Sequence, residues 1–228
     1  MEKSHEKFRD FVRVFWRYYK ELEDEFLHTS RYVEIHKDNF HTYSIEYLKL
    51  FQAVCSEIDV LGKVIANEMN PDFKDKMGHN IQFIDWWRQI HNLSVDFRSQ
   101  AGNVKSIEES EVMLLDEIRL EPWSECNQGA NKHFLWWDDY NSVKHARMTL
   151  VKKGDSEKEN YMKANLGNVC NAFSGLYIME NAYMQLVGPE EDLEKFADYS
   201  KLFCKIENIS CKEVDDMMAN SIARNTMS

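Results

Sequence analysis

The chain has 228 residues, a formal net charge of -11, 43% apolar side chains and 13% aromatic side chains. This composition supports a sizeable core and argues against general disorder, and the acidic balance argues against a coat for nucleic acids or anionic membranes. Three prolines and eight glycines favour long helices over a turn-rich β protein. The five cysteines form no CxxC pair, which indicates reduced thiols and a cytoplasmic protein. The charged N-terminus predicts that there is no signal peptide, and the lack of a long apolar run predicts that there is no membrane span.

Apolar side chains recur with helical spacing in the first part of the chain. The pattern predicts helices over residues 3–28, about 39–69 and about 79–95, and Asn70-Pro71 ends the second of them because the residue before proline avoids the α region. Residues 97–131 fit neither a clean helix nor a clean strand. They predict an extended excursion with a short hairpin that covers one end of a bundle.

The second part of the chain predicts more helices. A fourth runs over about 132–151, the sequence KKGDSEKEN follows as a polar loop, and a fifth runs over about 158–187 until Gly188-Pro189 stops it. A shorter helix near 190–203 precedes a tail.

These elements predict an all-α fold, a helical bundle of about five to six helices. Residues 1–188 form one predicted domain, and residues 189–228 add a C-terminal helix and tail. The sequence contains no GxGxxG, P-loop, HExxH or paired ExxH motif, so no cofactor and no metal site are predicted.

The stretch WWDDYNSVKHARM, residues 136–148, combines aromatic, acidic and basic side chains. Helical phasing places Asp138, Asn141 and His145 on one polar strip, with Lys144 and Arg147 beside it and the aromatic side chains largely on other faces. Between Lys144 and Lys153 the chain has four cations, one histidine and no acid. The stretch therefore predicts a local positive patch.

Each of these side chains has a role on a phosphate ligand. His145 can transfer a proton near neutral pH, Asn141 can hydrogen-bond the ring or a phosphate, and Lys144 and Arg147 can neutralise phosphate charge. The alternative is an ordinary amphipathic helix with a structural histidine.

Three asparagines, at positions 165, 168 and 171, recur at helical spacing in the sequence ANLGNVCNAF. Asparagine is a poor helix former. The residues either tie helices together by hydrogen bonds or line a pocket with Asn141 and His145, in which case Asn165 and Asn168 contact substrate.

Two acids interrupt apolar helices. Glu57 lies beside the stripe of the second helix, where it either pairs with a cation of the 136–148 stretch or lies on a solvated flank. Glu180 interrupts the stripe of the fifth helix, and the same argument applies to it.

The bundle and the late helix with Asn141 and His145 resemble the HEPN superfamily of nucleotide-binding and ribonuclease domains, over about residues 39–187. Active members carry an arginine, a polar residue that is often asparagine, three further residues, and then a histidine. Asn141 and His145 match the last two, and Tyr140 stands at the arginine position. The pattern WWxxYNxVKHxR followed by ANLxNVxNAF is also similar to that of a group of uncharacterised bacterial proteins.

The resemblance implies a function and an assembly. In the family, arginine and histidine from two protomers meet at a dimer interface and cleave RNA without metal. We therefore expect a homodimer that binds RNA or a nucleotide, with metal-independent endoribonuclease activity of a toxin or phage-defence type. Lys144 or Arg147 would substitute for the arginine, although neither stands at the motif position. Tyr140 would contact substrate, and Glu57 would match an acid of some members and also contact substrate. The alternative is a non-catalytic interaction or dimerisation module that has lost the motif arginine.

Overall fold

The computed structural model describes residues 2–73, 81–96, 104–115, 117–124, 134–153, 156–196 and 198–204. Within these ranges the helices are α1 (Glu2–Phe11), α2 (Arg17–Thr29), α3 (Ile45–Met69), α4 (Phe83–Ile90), α5 (Leu135–Ala146), α6 (Leu166–Val187) and α7 (Glu190–Lys195). A π-helical turn joins α1 to α2, and 3-10 turns cover Lys37–Asn39 and Asn160–Lys163. The predicted mostly helical fold is confirmed.

Short antiparallel strand pairs accompany the helices. They are β1 (Ser94–Val95) with β2 (Lys105–Ser106), β3 (Val112–Leu114) between β4 (Ile118–Leu120) and β7 (Phe203–Cys204), and β5 (Leu150–Lys153) with β6 (Ser156–Glu159). The hairpin predicted within residues 97–131 corresponds to β3 and β4, which pair from Val112 with Leu120 to Leu114 with Ile118.

Helix α6 is the centre of the bundle. Every side chain from Ala172 to Met184 is buried, so its amphipathic pattern is weak, as expected of a helix surrounded by protein. Helix α3 packs along it and also contacts α4. Gly62 of α3 permits the second contact, because a Cβ atom there would lie 2.5 Å from the Trp86 indole.

Helix α3 begins later than the predicted residue 39. The Ser44 hydroxyl accepts a hydrogen bond from the Tyr47 amide at 3.1 Å and caps the helix. The preceding segment is extended instead: Leu166 N donates to Thr42 O at 2.8 Å. Tyr43 falls within the helix predicted over about 39–69, but it lies outside the observed helix and is 42% exposed.

Other predicted boundaries also need correction. Helix α4 ends at Ile90, because Ser94 and Val95 enter a strand. Helix α5 ends at Ala146, and the predicted polar loop is largely the β5–β6 hairpin. The helix expected from residue 158 starts at Leu166, after the capping residue Asn165.

The segment Asp198–Cys204 is not part of the helix predicted over 190–203. Its Leu202 and Phe203 side chains belong to the core. Fully buried Glu23 of α2 accepts hydrogen bonds through Oε1 from the amides of Lys201 at 2.8 Å and Leu202 at 3.2 Å, and from the Ser200 hydroxyl. Residues 205–228 of the predicted tail lie outside the described part.

None of the described helices combines the length and the apolar character that a membrane crossing requires.

Candidate functional site

Helix α5 is held by its aromatic side. Trp136, Trp137, Tyr140 and Val143 are buried. The Trp136 indole donates to Pro122 O at 2.8 Å, and the Tyr140 ring lies edge-on to Phe51 of α3, with centroids 5.9 Å apart. The predicted division into an aromatic and a polar side is therefore confirmed.

The polar side of α5 faces solvent. Lys144, His145 and Arg147 are exposed, and Asn141 is partly exposed. The Lys144 ammonium lies 5.4 Å from the centroid of the Tyr140 ring, a cation–π contact that holds its stem against the helix. Among the described residues, no carboxylate pairs with Lys144, His145 or Arg147.

Tyr140, at the motif arginine position, is a packed core residue. It is 4% exposed, and burial raises its pKa to about 12, with smaller contributions from Cys55 and Asp59. Its phenol is therefore neutral at physiological pH. It supplies no positive charge where the family carries an arginine.

Asp139, an acid on another side of α5, pairs with residues outside this helix. Asp139 lies 2.9 Å from the Lys163 ammonium and accepts a hydrogen bond from the Asn168 amide at 3.0 Å. His145 comes six residues later, about 120° around the helix from Asp139. Among the described residues, His145 has no hydrogen-bond partner that would orient its ring.

The asparagines of α6 act mainly within the framework. The Asn165 side chain caps α6 by accepting from Asn168 N at 3.0 Å, and the Asn168 amide also donates to Lys163 O at 2.8 Å. Asn171 donates to Gly167 O of its own helix. Of the asparagine bonds, only that from Asn168 to Asp139 joins two helices, as the helix-tying alternative expects, and it places Asn168 beside Asp139 rather than beside His145.

Glu57 lies away from the α5 strip. Asp59, two residues after Glu57 on α3, marks the side of α3 that faces α4 and α5. It accepts a hydrogen bond from the Trp86 indole at 3.0 Å, and its charge acts on Tyr140. Glu57 is about 160° around the helix from it. Its charge acts on Tyr18 of α2 and Glu180 of α6, and burial raises the Glu57 pKa. Cation pairing was one of the two alternatives for Glu57, and no cation among the described residues forms it.

The β5–β6 hairpin extends the exposed surface beyond α5. Met148, Leu150 and Val151 are 75%, 56% and 42% exposed. The acid-free run predicted from 144 to 153 is bordered by β6, where Glu157 lies 3.2 Å from Lys152. Lys152 therefore has an acid partner, whereas the cations at the end of α5 have none among the described residues.

One part of this surface was not predicted from the sequence. Tyr43 and Tyr161 pack edge-on beside the C-terminal end of α5, with centroids 5.6 Å apart. Tyr161 N donates to Arg147 O at 3.0 Å. The sequence did contain one indication of this pair. Serine is a preferred N-cap residue, and a helix that begins after Ser44 leaves Tyr43 outside the helix.

A cleft of about 600 Å³ lies elsewhere, beside β2 and the β3–β4 hairpin. Glu111 there contacts both Lys105, at 3.0 Å, and Arg119. Burial would raise the Glu111 pKa, but these two cations outweigh burial and lower it. The cleft is therefore occupied by internal ion pairs, and the described residues contain no cluster of metal-ligating side chains.

No family model, no curated protein and no solved structure matches this chain.

Proposed function

We propose that this protein binds a phosphate-bearing ligand, an RNA or a nucleotide, at the C-terminal end of α5. The observation that supports this proposal is the joint exposure of Lys144, His145 and Arg147 without a carboxylate partner among the described residues. Arg147 offers a bidentate donor for phosphate, and Lys144 adds a point charge. In a chain of net charge -11, unpaired cations on one helix end attract anions locally.

The resemblance to the HEPN superfamily extends the proposal to metal-independent RNA cleavage. His145 would then be the general acid or base, with Asn141 holding the ring or the phosphate. Since no described group of the same chain orients the imidazole, this form of the proposal needs a homodimer whose partner supplies that contact.

A non-catalytic interaction module is the second candidate. The burial of Tyr140 at the arginine position favours it, because that position presents no charge to a substrate. In this case, the α5 surface and the exposed apolar side chains of β5 would contact another protein or a second copy.

Binding is tested by fluorescence anisotropy with a labelled RNA at about 50 to 200 mM salt. We expect Arg147→Gln and Lys144→Gln each to weaken binding and to reduce the salt slope by about one. Arg88→Gln is the matched control, since Arg88 is exposed on α4. Equal losses in all three variants, or no binding by the wild type, would refute the proposal.

Cleavage is tested with the same RNA, with and without chelator. Chelator-resistant cleavage that His145→Ala abolishes supports the nuclease. RNA binding without cleavage supports the non-catalytic candidate, for which light scattering gives the oligomeric state.

A further inference from the structure

The tyrosine pair beside α5 has the features of a contact for flat ligands. Tyr43 is 42% exposed, Tyr161 is partly exposed, and their rings stand at 85° to each other. An edge-on pair leaves ring faces that do not cover each other.

Backbone hydrogen bonds fix the position of this pair. Tyr43 forms a bridge with Asn165, and Gly167 N donates to Phe40 O at 3.0 Å. On the other side, Tyr161 N is bonded to Arg147 O. The backbone at both tyrosines is therefore held beside the basic end of α5, and the edge-on contact between the rings limits the side-chain ordering that ligand binding requires.

The surroundings of the pair combine aromatic rings with positive charge. Lys144 and Arg147 lie on the neighbouring helix end, and Glu46, the acid nearest to Tyr43 in sequence, is paired with Lys49 at 2.7 Å. Basic side chains interleaved with aromatic ones are the pattern by which proteins hold single-stranded nucleic acid.

We infer that Tyr43 and Tyr161 contact unpaired nucleobases of a single-stranded RNA whose phosphates lie on Lys144 and Arg147. This inference rests on the proposed function and gives it a ligand class. A duplex hides its base faces in its own stack, whereas an unpaired base can stack on a tyrosine ring. The site consequently favours single strands over duplexes and over mononucleotides, which reach only part of it.

The experiment measures the affinity of the full chain for a labelled mixed-sequence RNA of about twelve nucleotides, as a single strand and as a duplex, with AMP as competitor. Tyr43→Ala removes the ring and Tyr43→Phe keeps it. Tyr32→Ala is the matched control, because Tyr32 is 89% exposed. Circular dichroism confirms that each variant is folded.

We expect tighter binding of the single strand, with roughly a 5- to 150-fold loss in Tyr43→Ala, the range that one stacked base corresponds to. Tyr43→Phe and Tyr32→Ala should retain wild-type affinity, and Tyr43→Ala should retain the wild-type salt slope because it removes no charge. Binding that is equal for both RNA forms and unaffected by Tyr43→Ala would overturn this inference and leave the proposed function intact. No binding of either form by the wild type would overturn both.

Discussion

Replacing Glu180 by glutamine should change how the stability of the fold depends on pH. Glu180 is fully buried in α6, and neither of its carboxylate oxygens has a hydrogen-bond partner among the described residues. Its pKa is raised well above the ordinary value, first by burial and second by the negative charge of Glu57. An unpaired buried carboxylate is costly, so the folded state keeps the proton.

The sign of the effect follows from proton counting. The unfolded chain releases the Glu180 proton above a pH of about 4.3, and the folded chain retains it to a higher pH. The stabilisation is complete below the unfolded pKa and is lost as pH rises through the folded pKa. Within this window, each pH unit lowers the free energy of unfolding by about 1.4 kcal/mol for one proton. Glu57, whose pKa burial also raises, acts in the same direction.

The assay is urea denaturation of the wild type and of Glu180→Gln at several pH values from about 5 upward. The glutamine keeps the shape of the side chain but cannot titrate. The free energy of unfolding of the variant should therefore fall less steeply with pH than that of the wild type. The two slopes should differ by about 1.4 kcal/mol per pH unit where Glu180 alone titrates. Glu194→Gln, an exposed position of α7, is the control and should follow the wild type. Parallel curves for Glu180→Gln and the wild type would refute the reasoning.

Two further substitutions test the packing. Glu23→Ala removes the acceptor of the Lys201 and Leu202 amides and should lower the free energy of unfolding by about 3–5 kcal/mol, as expected for one partner of a buried charged network. Urea denaturation measures this decrease, and limited proteolysis of the variant should cut near residue 200. Gly62→Ala places a methyl group 2.5 Å from the Trp86 indole and should lower stability by about 1–3 kcal/mol. An unchanged unfolding midpoint in either variant would contradict the assigned contact.

The sequence predicted the parts of the fold that depend on local patterns. Helical spacing over residues 3–28 corresponds to α1 and α2, and Asn70-Pro71 and Gly188-Pro189 mark the ends of α3 and α6 as expected. Phasing also separated the buried from the exposed side of α5, because a helix side that must pack against a core carries a regular apolar signal.

Other parts have no such local signal. The strands β5 and β6 are paired through backbone hydrogen bonds between mostly polar residues, so KKGDSEKEN has the composition of a loop. The pairing of Tyr43 with Tyr161 joins positions that are distant in sequence. The position of Glu57 beside an apolar stripe was visible in the sequence. Its neighbours were not, because they depend on how α2 and α6 pack against α3.

The buried contact between Glu23 and the segment 198–204 has a consequence for the order of folding. Glu23 lies in the second helix, and its hydrogen-bond partners in residues 200–202 are 177 residues or more further along the chain. During synthesis, α2 therefore emerges long before the groups that satisfy its carboxylate. Leu202 and Phe203 complete the core, and β3 gains its second neighbour only when β7 arrives. These contacts can form only after residue 204 has left the ribosome, so during synthesis the core is completed late.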